Sequence, residues 1–472
     1  MQARPSKKNF SEWYDYVIYN ADLVDIRYGV KGTVVYKPEA MEIIDSLYSL
    51  FESKLKERGH KKYLFPLFIN YGSFKKEADH IKGFEEEVFM VNKAGGKDLE
   101  EPLIIRPTSE TAFYPMFSIW IKSYRDLPMK TYQSVAVYRY ETKATRPLFR
   151  GREFLWIETH NVFPSEEEAK RHVEEDIIMM SEQLKGLGIP YLIVKREPFD
   201  RFPGADESYA YDAIMPNGEV LQVATTHYLG QNFTKPFEVK YLDQEGNYRI
   251  PYSTTLGIGI TRILAAIISV HGDDYGLYIP PQLSSVKGVI VPILYGGSGD
   301  EVKKYMQQVI ENAKPYVFIP DTGEETPGEK FYRSELYGFP LRIEVGRREV
   351  ENSTVTVYRR DTRKKVVVDL KDLKVKLDEI IEDMKKNLKS KSESLKDIPE
   401  AKNREEVLKL LKQHPIIKMD FCGRAECAMD LKKATEGYEV RGELVETKEN
   451  AGERCAWCGE KALRKVIVAK SF

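Results

Sequence analysis

Cysteine is missing from the first 421 residues of this 472-residue chain. No disulfide framework can therefore hold that part together, and its stability must come from buried apolar surface. Neither sign of charge is in excess: Lys and Arg number 72 against 73 for Asp and Glu, a formal net charge of −1. This excludes a uniformly basic nucleic-acid binder but leaves room for a local basic patch. Long hydrophobic runs are lacking too. A membrane span needs about 18 consecutive apolar residues, and Ile263 to Val270 is among the longest runs present. Met1 to Phe10 is polar and basic with no apolar stretch after it, so no signal peptide is read, and a cytoplasmic protein without membrane contact is expected. No repeat of fixed period occurs. With 42% hydrophobic and 31% charged residues the chain is neither disordered nor fibrous, and its length implies two or three domains.

The four cysteines that do occur are Cys422, Cys427, Cys455 and Cys458, spaced C-x4-C and C-x2-C. Two close pairs suit a closed, tetrahedral four-thiolate zinc site of structural role. The alternatives are two disulfides or four unrelated thiols, and a reducing compartment disfavours the disulfides.

Apolar spacing predicts a helix over Pro38 to Arg58, with Met41, Ile44, Leu47, Phe51 and Leu55 on one face and Gly59 as a stop. Leu64 to Ile69 reads as a buried strand interrupted by Pro66. Strands are expected over Thr131 to Glu141 and Phe154 to Val162, joined by a loop carrying Lys143, Arg146 and Arg150. Ser165-x-x-Glu168 is a capping box opening a helix to about Leu187, before Gly188 and Pro190. After Pro280-Pro281 the composition shifts. Val286 to Leu294, the Gly296-Gly297-Ser298-Gly299 run, a helix from about Asp300, and strands at Leu341 to Val345 and Thr354 to Tyr358 suggest a small α/β domain. The charged stretch Leu370 to Ser394 is read as a solvated helix or a linker, and the cysteines follow among short strands.

The chemistry lies in three motifs. Arg139-Tyr140-Glu141, the basic loop and Arg150-Gly151-Arg152-Glu153-Phe154 resemble motif 2 of class II aminoacyl-tRNA synthetases. Gly257-Ile258-Gly259-Ile260-Thr261-Arg262 resembles motif 3, and the helix and strand ending near Pro66 resemble motif 1, the dimer interface of that class. Further stretches are similar to the prolyl-tRNA synthetase family: Phe10-Ser11-Glu12-Trp13-Tyr14, Arg106-Pro107-Thr108-Ser109-Glu110-Thr111, Thr145-Arg146-Pro147-Leu148, Leu229-Gly230-Gln231-Asn232-Phe233, His271-Gly272-Asp273-Asp274 and Arg359-Arg360-Asp361. The resemblance spans essentially the whole chain and fits the archaeal and eukaryotic type with a zinc-containing C-terminal extension. Arg139 and Arg262 are 123 positions apart, too close for the large editing domain of the typical bacterial form.

The resemblance implies an α+β and α/β multidomain chain. Residues 1–283 would form the antiparallel-sheet catalytic core, 284–375 an α/β anticodon-binding domain and 376–472 a small α+β zinc-containing domain. The implied reaction joins ATP and L-proline into prolyl-adenylate and passes the prolyl group to the 3′ end of tRNA(Pro). Proline's own carboxylate is the nucleophile, so the enzyme must supply positioning and charge neutralisation. Arg139 would bridge that carboxylate and the α-phosphate, while Arg150 and Arg262 would hold the outer phosphates. Phe154 and Arg262 would sandwich adenine beside Glu141, with Gly151 in the same motif. Gln222 and Thr225 match positions that contact ATP and its Mg2+. Thr108, Glu110, Arg139 and His227 would recognise proline, with Trp156, Glu158, His160 and Phe202 walling its ring. Arg342, Glu344, Arg347 and Arg360 match the anticodon-binding domain as candidate readers of loop bases. A homodimer through the motif 1 region is expected.

The chain departs from the family at Leu256-Gly257, Ala224-Thr225-Thr226-His227, Asn161-Val162-Phe163 and Phe472. These bear on substrate discrimination more than on the reaction. Other small amino acids are the first alternative, although a threonyl enzyme would need a cysteine ligand in its active site. A silent tRNA-binding relative is the second, and it conflicts with an intact set of ATP-site residues.

Overall fold

A computed structural model of the chain describes residues 4–78, 87–294, 299–392, 398–447 and 449–472. The glycine run at 296–298 and the end of the charged stretch at 393–394 lie outside the described residues.

The catalytic-type core is a sheet of six long strands: β1 (Met129–Tyr138), β2 (Glu153–Phe163), β3 (Tyr191–Lys195), β4 (Glu207–Ile214), β5 (Val220–Gly230) and β6 (Tyr252–Gly259). Their order is β3-β4-β5-β6-β2-β1, with every neighbour antiparallel. Both expected strands of motif 2 are present, but β1 stops at Tyr138 and leaves Arg139 to Glu141 in the loop. Helices Glu166–Gly186 and Ile260–His271 pack against the sheet. Ser165 Oγ accepts from the Glu168 N–H at 3.2 Å to start the first, and Gly188 at φ +68° follows its end. The predicted motif 1 helix runs Pro38–Glu57 and buries Ile43, Ile44, Leu47, Phe51 and Leu55 against Ile260–His271.

The buried strand expected at Leu64 to Ile69 is not found. Only Phe68–Asn70 is a strand there, and Leu64 is 81% exposed. Pro66 offers no N–H for a ladder. The Phe65 and Pro66 carbonyls are taken by Arg106 Nη1 at 3.1 and 3.3 Å, and the Phe65 N–H by Gln133 Oε1 at 3.0 Å. Side chains have replaced a partner strand.

The second unit is a five-stranded mixed sheet of β7 (Val286–Ile293), β8 (Val317–Pro320), β9 (Leu341–Gly346), β10 (Thr354–Arg359) and β11 (Lys365–Asp369), ordered β8-β7-β9-β10-β11. The charged stretch after it is neither linker nor solvated helix. Leu373–Ser392 buries Leu373, Leu377, Ile380, Ile381, Met384 and Leu388 in the core that also holds Ile290, Val302 and Ile343. The expected boundary at 375/376 thus falls inside a helix of the second unit. Lys and Glu dominate its sequence because they fill the solvent face of an amphipathic helix.

The C-terminal strands are β12 (Ile416–Phe421), β13 (Tyr438–Leu444) and β14 (Arg464–Lys470), ordered β12-β14-β13. They do not form a free-standing sheet. β13 pairs with β3 through Glu443↔Lys195 and Leu444↔Val194, which joins these three strands to the six catalytic ones in a sheet of eleven whose edges are the two-residue strands Glu400–Ala401 and Lys61–Lys62. Gly442 permits this approach: its φ is +127°, and a Cβ there would lie 2.2 Å from the Lys195 carbonyl oxygen. Among the described residues no helix is long and apolar enough to cross a membrane.

Leu377→Ala should destabilise the second unit by about 2–5 kcal/mol. Val375→Ala, at a position 60% exposed on the same helix, should cost less than about 0.5 kcal/mol. Urea unfolding of the two variants measures this, and equally small effects would return the helix to a solvated linker.

Candidate active site

Motifs 2 and 3 meet across the sheet around a cavity of about 1080 Å³. All eight residues expected to bind nucleotide line it: Arg139, Glu141, Arg150, Gly151, Phe154, Gln222, Thr225 and Arg262. Each arginine is tied to main-chain oxygens, and Arg150 Nε also lies 3.7 Å from Glu141 Oε2. Arg262, in the first turn of helix Ile260–His271, donates from Nε to Phe149 O at 3.0 Å and from Nη1 to Gln222 O at 2.9 Å. Arg139 donates from Nε to Pro107 O at 3.1 Å and lies over the Phe154 and Trp156 rings at 5.4 and 5.7 Å. Arg150 donates from Nη2 to Phe472 O at 2.6 Å. Burial, then the Arg139 and Arg150 charges, lower Arg262 to about 10. It stays protonated at neutral pH, so three like charges border one cavity, and an anion placed there would relieve their repulsion.

Beside Trp156 lies a buried carboxylate network. Thr108 Oγ1 donates to Glu110 Oε2 at 2.5 Å. Glu158 accepts from Ser109 Oγ at 2.5 Å, Gln133 Nε2 at 2.7 Å and the Ser109 N–H at 3.2 Å, and its Oε2 lies 3.0 Å from His160 Nε2. Burial would raise Glu158, but the bonds from His160, Ser109 and Gln133 outweigh it and hold the acid below its ordinary value. Glu110 is pushed up by burial, against the pull of His160 and with the added repulsion of Glu158. A cationic amine beside it would stabilise its charged form. His227 accepts or donates at Nδ1 with Ser208 Oγ at 2.8 Å, stacks on Phe202 at 4.8 Å between centroids, and is lowered by burial to about 3.

Of the residues expected to hold proline, Arg139 and Trp156 line this cavity, whereas Thr108, Glu110, Glu158, His160, Phe202 and His227 do not, and Glu158 and His160 are fully buried. Trp156, Glu158 and His160 share one face of β2, being two residues apart in turn; Trp156 reaches the cavity, and the hydrogen bonds of Glu158 to Ser109, Gln133 and His160 hold the other two in the packed interior. Sequence reasoning passed over Ser109 and Gln133, which tie Glu158 to the Thr108–Glu110 loop. It also passed over the contact role of Phe472, whose ring lies 4.6 Å from that of Phe149. Their signal was present only as polar residues on buried strand and helix positions.

The expected anticodon readers are not brought together on a surface. Arg342 and Glu344 are buried and paired at 2.9 Å, with Arg342 between the Phe331 and Tyr358 rings. Arg360 is 2% exposed and grips Asp273 at 2.7 and 2.5 Å, joining the second unit to the catalytic one. It is a latch, because a buried guanidinium needs a carboxylate and Asp273 supplies it. Arg347 alone of the four projects into solvent, paired with Glu351 at 2.8 Å.

The four cysteines converge. Their Sγ atoms all lie within 4.8 Å of one another, with Cys427–Cys455 at 3.8 Å and Cys422–Cys458 at 3.6 Å. A disulfide needs about 2.05 Å, whereas thiolates about 2.3 Å from a tetrahedral zinc sit about 3.8 Å apart. The donor set fits one Zn2+ and leaves no open position, so its role would be structural.

Comparison with known proteins agrees with this division. Residues 89–271 match a family described as the tRNA synthetase class II core domain (G, H, P, S and T), 288–381 an anticodon binding domain, and 404–472 a prolyl-tRNA synthetase C-terminal domain. A proline–tRNA ligase of Thermofilum pendens is 48% identical over 98% of both chains. One from Nanoarchaeum equitans is 38% identical over 98% of this chain and 99% of the relative. The structure of Giardia lamblia prolyl-tRNA synthetase in complex with prolyl-adenylate matches with a TM-score of 0.94 and 34% identity, covering 100% of this chain and 99% of that one. The Cryptosporidium parvum enzyme complexed with halofuginone and AMPPNP matches at 0.91 and 31%, covering 99% and 96%.

The purified protein should carry one zinc per chain by metal analysis. Cobalt substitution should give the thiolate-to-metal absorption of a four-sulfur site, and Cys427→Ser should lose it along with several degrees of thermal midpoint. Four freely titrating thiols in metal-free, fully stable protein would defeat the assignment.

Proposed function

The chain belongs to the prolyl-tRNA synthetase family, and we propose that the cavity bounded by Arg139, Arg150 and Arg262 is where it activates L-proline with ATP before transfer to tRNA(Pro). The observation that carries this is the convergence of Arg139, Arg150 and Arg262 with Phe154 on one cavity, with Arg139 bonded to the Pro107 carbonyl next to the buried Thr108–Glu110 pair. Arg139 stands between the two halves of that site. Its planar fork can hold proline's carboxylate and the α-phosphate together, in line for attack. As the carboxylate oxygen bonds to phosphorus, the bond to the departing pyrophosphate breaks, and Arg150 and Arg262 neutralise the charge it carries away. Phe154 and Arg262 offer two faces for adenine, with Glu141 near its amino group. Gln222 and Thr225 both line the wall as ATP contacts, and the Thr225 hydroxyl is an oxygen that would suit Mg2+, whose charge would neutralise the phosphates.

Glu110 and Thr108 would receive proline's cationic amine, His227 and Phe202 would close one side of the ring, and Trp156 the other. Glu158 and His160 serve from beneath by holding the Ser109 loop. Residues 1–283 form the catalytic unit in this reading, and the anticodon-binding unit runs from 284 through the helix ending at Ser392. The zinc-containing unit follows. Arg347 remains a candidate contact to the tRNA(Pro) anticodon loop, with the lysines of 385–391 toward phosphates. A second copy would cover the exposed Leu64 and Phe68 beside the motif 1 helix, making a homodimer that works in the cytoplasm.

Exchange of labelled pyrophosphate into ATP, run with each of the twenty amino acids, should be led by proline. Arg139→Ala and Arg262→Ala should each lower it by at least about a hundredfold while leaving far-UV circular dichroism unchanged. Exchange led by another amino acid would overturn the proline assignment. Retained activity in either variant would remove that arginine from the phosphate role.

A further inference from the structure

Besides Phe472, the C-terminal unit sends Arg441 into the catalytic core. Arg441 lies on β13 at a bulge: Val440 pairs with Val468 and Gly442 with Ile467, so Arg441 is skipped in the ladder. A bulge re-aims a side chain, and here it turns Arg441 onto Asp212 of β4. The contact is bidentate at 2.8 and 3.0 Å, with Asp212 fully buried and Arg441 nearly so. Glu439 takes the remaining Nη1 of Arg441 at 3.1 Å.

Next to this pair is Arg196, also buried. Its Nη2 donates to Gln222 Oε1 at 2.6 Å and lies 3.6 Å from Asp212 Oδ1. Its Nη1 donates to Asp200 at 3.1 Å and to the Arg441 carbonyl at 3.2 Å. Asp212 and Gln222 are register partners on β4 and β5, and the Gln222 carbonyl in turn accepts from Arg262. A guanidinium has donors only, so the Gln222 atom facing Arg196 must be its amide oxygen. The amide NH2 is left for the cavity that Gln222 lines. Arg196 therefore decides which end of the amide meets the nucleotide.

We propose that Arg441 is a positioning residue for ATP: by satisfying Asp212 it leaves Arg196 free to hold Gln222 with its NH2 toward the phosphates. Without Arg441, the buried Asp212 carboxylate has Arg196 as its nearest cation. An unpaired buried charge costs more than a hydrogen bond to a neutral amide, so Arg196 moves to Asp212 and Gln222 is released to turn. The C-terminal unit then acts on the ATP site through three side chains rather than through its metal.

This inference rests on the ATP-site reading above, so wild-type exchange must first saturate with both ATP and proline; failure there defeats the reading itself. In Arg441→Met the KM for ATP should rise about tenfold, with the KM for proline, the zinc content and the circular dichroism unchanged. Adding Asp212→Asn should bring the ATP KM most of the way back, because the charge that draws Arg196 is gone. A merely structural role would move both KM values or neither, and would not be rescued by a second buried substitution. An unchanged ATP KM in folded Arg441→Met, equal changes for both substrates, or no rescue would each overturn the proposal. Should Arg441→Met fail to fold, Arg196→Met, which keeps the Arg441–Asp212 pair, should show the same selective rise, and an unchanged ATP KM there would refute it.

Discussion

Three arginines held around one cavity at low dielectric repel one another, and the rest of the site is arranged to keep them there. Arg139 and Arg262 are anchored to main-chain carbonyls, of Pro107 and of Phe149 with Gln222, and Arg150 to a Phe472 main-chain oxygen with Glu141 Oε2 3.7 Å from its Nε. A carbonyl is a useful partner for this purpose. It orients the guanidinium of Arg139 and of Arg262 without cancelling its charge, as a carboxylate would, so positive potential is kept at the cavity. These main-chain oxygens come from segments far apart in the chain, Phe472 of the C-terminal unit among them, so the site exists only when the core and the C-terminal unit are both folded.

The opposite problem is solved a few ångströms away. Glu110 and Glu158 are buried acids, and two buried carboxylates close together cannot both be charged without compensation. The structure separates their fates. Glu158 takes donors from Ser109, Gln133 and His160 and is stabilised as an anion, whereas Glu110 has the Thr108 hydroxyl and stays raised. One acid is committed to structure and the other is left for a cation. With Arg139 between the two regions, positive charge lies on one side and buried carboxylates on the other, which is the electrostatic form that the proposed pairing of a nucleotide with an amino acid requires.

The three units are bound by polar contacts that need shape as well as charge. The second unit is latched by Arg360 on Asp273, and Asp273 O accepts from Trp13 Nε1 at 2.8 Å. The third extends the catalytic sheet through β13 and places Arg441 on Asp212. Both joints bury an arginine against a carboxylate. Such pairs add little net stability over apolar packing, but breaking one is expensive, so they specify how the units sit more than how tightly they hold.

What the sequence by itself determined is local and periodic. The Pro38 helix, the motif 2 strands, the Ser165 cap and the second α/β unit follow from apolar spacing, β-branched runs and capping chemistry acting within a few residues. The candidate nucleotide residues were named through the resemblance of motifs 2 and 3 to a known family, and the cysteine set through a pair spacing that metal chemistry demands. What only the tertiary structure decided depends on distant partners. Arg106 and Gln133 took the backbone groups that would have made Leu64 to Ile69 a strand. The charged Leu373 helix became core because a sheet lay ready to cover its apolar face. Glu158 and His160 were drawn into a buried network with Ser109 and Gln133, and Arg360 and Arg441 became joints because each buried guanidinium must find a counter-charge, which lay on a unit far away in sequence. Sequence pattern states which groups a chain owns; burial decides which of them must be paired, and that is known only once the chain has closed around them.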